Sequence, residues 1–92
     1  SQHHTNGNIS QADSLLELAK NFQWIDSYQS LKYAEQALAL SRNIQYEQGI
    51  AIANNLKGFC FWSFGDNDLA IEVALEALEI VKAIGHTRAE AE

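Results

Sequence analysis

The residues of this 92-residue chain that could carry chemistry are few and scattered. Cys60 is its one thiol, and a nucleophilic cysteine needs a histidine or cation beside it to hold the thiolate. It sits in the run Phe59-Cys60-Phe61-Trp62 with no such neighbour, which describes a small buried apolar residue. His3-His4 and the solitary His86 lie near opposite ends of the chain, away from any cysteine or acid at metal-ligand spacing. Asp66 and Asp68 look like paired carboxylates, yet they stand where a helical pattern begins, and free amides and the helix dipole account for both. Asn8-Ile9-Ser10 has the form of a glycosylation acceptor, which matters only in a secreted chain. No glycine-rich phosphate loop and no nucleophile–base–orienter set can be assembled. The expectation is a protein without catalytic residues, metal or cofactor, working by contact.

Composition narrows the kinds of contact. Six Lys and Arg stand against 12 Asp and Glu, a net charge of −6, so the cationic footprint that a phosphate backbone requires is missing and nucleic acid is excluded as a partner. Acidity gathers in the second half: residues 1–46 hold 4 acids and 3 bases, residues 47–92 hold 8 acids and 3 bases. A solvated helix face explains that bias, and a partner bearing basic residues is the sharper alternative. There is no signal-like segment and no run of 18 apolar residues, so no membrane partner is expected, and one cysteine closes no intrachain disulfide. A cytoplasmic setting is the expectation. With 47% hydrophobic residues, no proline and five glycines, the chain should fold, and as all-α.

Four helices are expected to position these residues. The polar stretch 1–8, with its Asn6-Gly7 turn dipeptide, reads as a disordered tail. Ser10 and Asp13 form a start signal for the first helix, which carries Leu15, Leu16, Ala19 and Phe22. Asp26, with Gln29 three residues on, opens a second that ends near Asn43. The third runs from about Tyr46 to Phe64 and stops at Gly65, and Asp66 caps a fourth that ends at Gly85. The fourth is apolar around so much of its circumference that it requires cover on more than one side.

An offset of 40 residues pairs Leu16 with Leu56, Asp26 with Asp66, Ala34 with Ala74, Ala37 with Ala77 and Leu38 with Leu78. Phe22/Trp62, Trp24/Phe64, Leu31/Ile71 and Arg42/Lys82 keep chemical type. This is a helical-hairpin repeat, with a first unit at about 10–45, a second at about 46–85 and, from the capping-box form Thr87-Arg88-Ala89-Glu90, the start of a third at 86–92. The second unit resembles the tetratricopeptide repeat: Gly58, Phe61, Ala70 and Ala77 fall on that family's Gly, Tyr, first Ala and later Ala positions. Asn54, Lys57, Ala74 and Val81 depart from it, and the first unit keeps only Ala37. The period exceeds the family's usual value of about 34, as in the long variant found in bacterial signalling proteins.

That resemblance, over roughly residues 10–92, implies a right-handed α-α superhelix. It also implies a protein–protein interaction or scaffold module, a piece of a larger signalling or regulatory protein, with a partner peptide or helix held in a concave groove. Carrying the groove positions over gives Ile52, Asn55, Phe59, Trp62 and Ser63 from the second unit, and Ala12, Leu15, Ala19, Phe22 and Gln23 from the first. Aromatics contribute contact area while amides pair with an extended backbone. Phe61 is expected in the core. The family's carboxylate clamp is not expected, because the third helix has one lysine and no arginine, so Asn54 and Asn55 read as a solvated polar stripe. Self-association of copies into a homodimer is the alternative function.

Overall fold

The computed structural model describes the fold of residues 2–91 and the side chains of residues 9–86. Within them the chain is four helices and no strand: α1 (Gln2–Phe22), α2 (Ser27–Asn43), α3 (Glu47–Ser63) and α4 (Asn67–Ala91). α2 and α4 begin 40 residues apart on aspartate caps. The Asp26 carboxylate accepts from the Tyr28 and Gln29 amides at 3.1 and 3.3 Å, and the Asp66 carboxylate accepts from the Leu69 amide at 3.3 Å. A helix start leaves amides without partners, and a short acceptor side chain satisfies them.

The ends of α2 and α3 use left-handed residues. After α3, Gly65 at φ 84° lets its own amide reach Trp62 O at 2.9 Å and that of Asp66 reach Phe61 O at 2.8 Å. This pairing closes a helix end and suits glycine, which has no Cβ to clash. After α2 the same pattern turns on Gln45 at φ 59°, with Tyr46 N to Ser41 O at 2.8 Å.

Two expected boundaries move. α1 is helical from Gln2, so the start signalled at Ser10 falls inside the helix; the side chains of 1–8, including His3 and His4, lie outside the described residues. α4 passes through Gly85 to Ala91, because a helix-interior glycine costs only about 1 kcal/mol and the residues at 88–91, Arg-Ala-Glu-Ala, are strong helix formers. The side chains of the Thr87–Glu90 capping pattern also lie outside the described residues.

Each helix packs on the one before it, and α1 also meets α3, whereas α4 approaches neither α1 nor α2 closely along the backbone. A closed four-helix bundle would bring first and last helices together, so this is an open array. The radius of gyration, 13.8 Å, exceeds the ~12 Å of a compact domain of this length, and the extents of 40 × 32 × 17 Å describe a slab.

The core lies where α1, α2 and α3 converge: Leu16, Ala19, Ala34, Ala37, Leu38, Ala53 and Leu56, flanked by Leu15, Tyr33, Ile50 and Ile52. Its many alanines let helix backbones come close. At the α3–α4 contact a Cβ on Gly58 would lie 3.1 Å from Val73 Cγ2 and 3.4 Å from Ala70 O, so the small residues do meet at the closest approach. Phe61, expected in the core, is only half-buried; Cys60 and Leu56 take the interior positions beside it.

Candidate functional site

The exposed aromatic residues converge where α1 turns into α2 and where α3 ends. Trp24 stands in the turn after α1, 78% exposed, and meets the Phe59 ring edge-on at 4.7 Å between centroids. Phe59 in turn meets Trp62, 62% exposed, at 5.6 Å. One turn into α2, Tyr28 stacks on Phe64 at 4.6 Å, and beside them the Ser27 and Ser63 hydroxyls lie 3.0 Å apart, sharing a hydrogen bond. Ile25 is exposed next to Trp24. The result is a ledge of rings held partly by one another, offering flat apolar area with two hydroxyls at its margin.

The ledge contains Phe59, Trp62 and Ser63 of the residues that the family resemblance selected. Asn55 is exposed on the same helix, while Ile52, Phe22 and Gln23 are half-buried. Phe22 is taken up in a stack with Tyr33 at 5.9 Å. Ala12 and Ala19 are fully buried and belong to the interior, because α1 turns that face to α2; Leu15 packs against the core. Trp24, Tyr28 and Phe64 were not among the selected positions. Their signal in the sequence is the pair of bulky residues just ahead of each capping aspartate, Trp24 before Asp26 and Phe64 before Asp66.

Asn54 is corrected outright. Instead of a solvated stripe, its side chain is 1% exposed, and neither its amide nitrogen nor its oxygen has a partner among the described residues. Position 54 shares its side of α3 with Ala51, three residues before it, and Gly58, four after, and both are buried.

Burial pushes the Cys60 thiol above its ordinary value; a hydrogen bond with Ser30 opposes the shift and the charge of Glu35 adds to it. A thiol raised by burial is a poor nucleophile. In the folded chain Cys60 is expected to resist iodoacetamide at pH 8 and to react fully in denaturant; rapid labelling without denaturant would contradict this placement.

Tyr46, which precedes α3, donates its hydroxyl to Asp13 Oδ1 at 2.8 Å, and that bond first, then burial, holds the phenol's pKa above its ordinary value. The contact ties the α2–α3 turn to α1. Among the described residues no three His, Cys, Asp or Glu side chains gather as a metal site, and no helix is long and apolar enough to cross a membrane. A cleft of ≈ 560 Å³ at Ser10, Gln11, Ser14, Leu15 and Leu40 lies along α1 and α2, lined mainly by neutral hydroxyl, amide and leucine side chains. Its lining holds no titratable side chain to activate either hydroxyl. No family model, no curated protein and no solved structure matches the chain.

Proposed function

We propose that this chain is a protein–protein interaction module of the tetratricopeptide type, holding a partner peptide against the Trp24–Phe59–Trp62 ledge. The observation that carries the reading is the exposure of two tryptophans and a tyrosine on one small surface, where folding alone gains little from leaving them in water. Trp and Tyr dominate binding energy because they bring large, stiff apolar area with a polar edge. The Ser27 and Ser63 hydroxyls at the ledge's margin supply polar groups for an extended peptide backbone. The 40-residue offset of the Asp26 and Asp66 caps and the open, sequential packing support the repeat reading. Under that reading the chain works as a scaffold segment of a larger, cytoplasmic signalling or regulatory protein.

Both tryptophans of the chain lie in the ledge, so their emission reports on it directly. Peptides selected on the chain from a displayed library of unstructured sequences are expected to shift that emission to the blue. Trp62→Ala should weaken them at least about 30-fold, the scale of a hot-spot residue near 2 kcal/mol, while thermal stability stays within about 0.5 kcal/mol, as for an exposed position. Peptides that bind Trp62→Ala as tightly as the parent chain, or leave the emission unmoved, would refute the assignment.

A further inference from the structure

We infer that the outer face of α4, with the end groove it shares with α3, docks a basic amphipathic helix of a partner protein. The internal repeat shows what such a face is built to hold. In the first hairpin Ala34, Leu38 and Ser41 of α2 are buried: Ala34 and Leu38 pack with Ala53 and Leu56 of α3, and Ser41 Oγ lies hard against Gly49. Forty residues on, Ala74, Leu78 and Val81 occupy the same positions and are exposed; Leu78 is 48% exposed where Leu38 is 5%. Asn55, Ala74, Ala77, Leu78 and Val81 line a groove of ≈ 260 Å³ there. A helix covers these positions in the first hairpin, so a helix is the shape that fits them in the second.

The charge of the rim selects among helices. Glu72 and Glu79 flank Leu75 one helical turn away on either side, and Asp68 extends the row. Their first-hairpin counterparts are Lys32, Ala39 and Tyr28, so this acidic row is particular to the second hairpin. Leu75 itself, exposed, stands where the first hairpin has the exposed Glu35. The apolar stripe is therefore wider than α3-type cover requires, and it borders the acids directly. Lys or Arg beside an apolar stripe matches both features.

A second copy matches them poorly. For another copy's α1 to act as α3 does, Ser10, Asp13 and Ser14 would have to replace Ile50, Ala53 and Asn54. All three are exposed polar residues. Laying α4 on α4 would set one acidic row near another, with Lys82 as the single cation of each stripe between 67 and 86.

The test uses the full chain and two labelled peptides of about 18 residues, each with Leu and Ala at helical spacing on one face and either Lys or Glu on the other. Fluorescence anisotropy at low salt should show the Lys peptide binding at least about tenfold more tightly than its Glu twin. Leu75→Ser with Leu78→Ser should abolish binding, and Glu72→Lys with Glu79→Lys should reverse the preference. All four positions are exposed, so helicity by circular dichroism should stay at the parent level. Trp62→Ala should bind the Lys peptide unchanged, which separates this surface from the aromatic ledge. Three results would each overturn the inference: equal affinity for the twins, binding retained by the double-serine variant, or a dimer of the chain that the serine variant dissolves.

Discussion

Asn54→Leu is expected to raise the free energy of unfolding by about 1–3 kcal/mol. Burying an amide whose donors and acceptor lack partners costs roughly 1–3 kcal/mol in folded proteins, and Asn54 is in that position at 1% exposure. Leucine has the same heavy-atom skeleton, a branch at Cγ bearing two atoms, so it occupies the site with the polarity removed. Its methyls are larger than the amide atoms, and mild overpacking offsets part of the gain. The buried positions nearest it on α3, Ala51, Ala53 and Gly58, are all small residues. Chemical denaturation of the two chains measures the difference directly. Asn54→Asp tests the cause, since a buried carboxylate without a partner should destabilise and do so more at pH 8 than at pH 4. A leucine variant that loses stability would mean that the amide is satisfied after all.

The second large effect runs against helix propensity. Gly49 stands in the first turn of α3, and alanine there favours a helix by up to about 1 kcal/mol. A Cβ at that position, however, would lie 2.6 Å from Cδ2 and 2.9 Å from Cε2 of Tyr46, and closer still to Ser41 Oγ. Carbon atoms do not approach so closely, so the Tyr46 ring must shift, and the ring carries the hydroxyl that bonds Asp13 across to α1. Overpacking of this kind costs typically 1–3 kcal/mol, and a lost charge-assisted hydrogen bond adds to it. The net expectation for Gly49→Ala is a loss of about 1–3 kcal/mol, read as a lower denaturation midpoint. Tyr46→Phe separates the causes: it removes the Asp13 bond but keeps the ring, so it should cost clearly less. A glycine-to-alanine change that stabilises the chain would show that propensity wins.

Much of the architecture could be read from residue types, and the reasons are local. Asp26 and Asp66 are short acceptors ahead of apolar helical patterns, and both cap; Gly65 is the residue a left-handed helix end favours, and it supplies one. The α2–α3 turn is harder, since Gln45 takes a positive φ without being glycine and Tyr46 precedes α3 with no side-chain cap. What held that corner was invisible locally: Tyr46 reaches Asp13, 33 residues away. Faces were harder than elements. α3 is apolar nearly all the way round, so spacing could not decide that Asn54 points inward while Trp62 points out. Trp24 reads as the apolar end of α1, yet the chain has already left the helix there, and its ring is free to meet Phe59.

That the backbone of α4 packs closely on α3 alone also bears on how the chain comes apart. Stability in such an array is close to a sum of neighbouring interfaces, and the α1–α2–α3 core does not depend on the α3–α4 one. α4 therefore opens at a lower free energy than the α1–α2–α3 core, restrained across the array by the 2.9 Å Arg42–Glu76 ion pair. Whatever covers α4 adds its own binding free energy to that interface, so occupancy of this face would set how often α4 lets go.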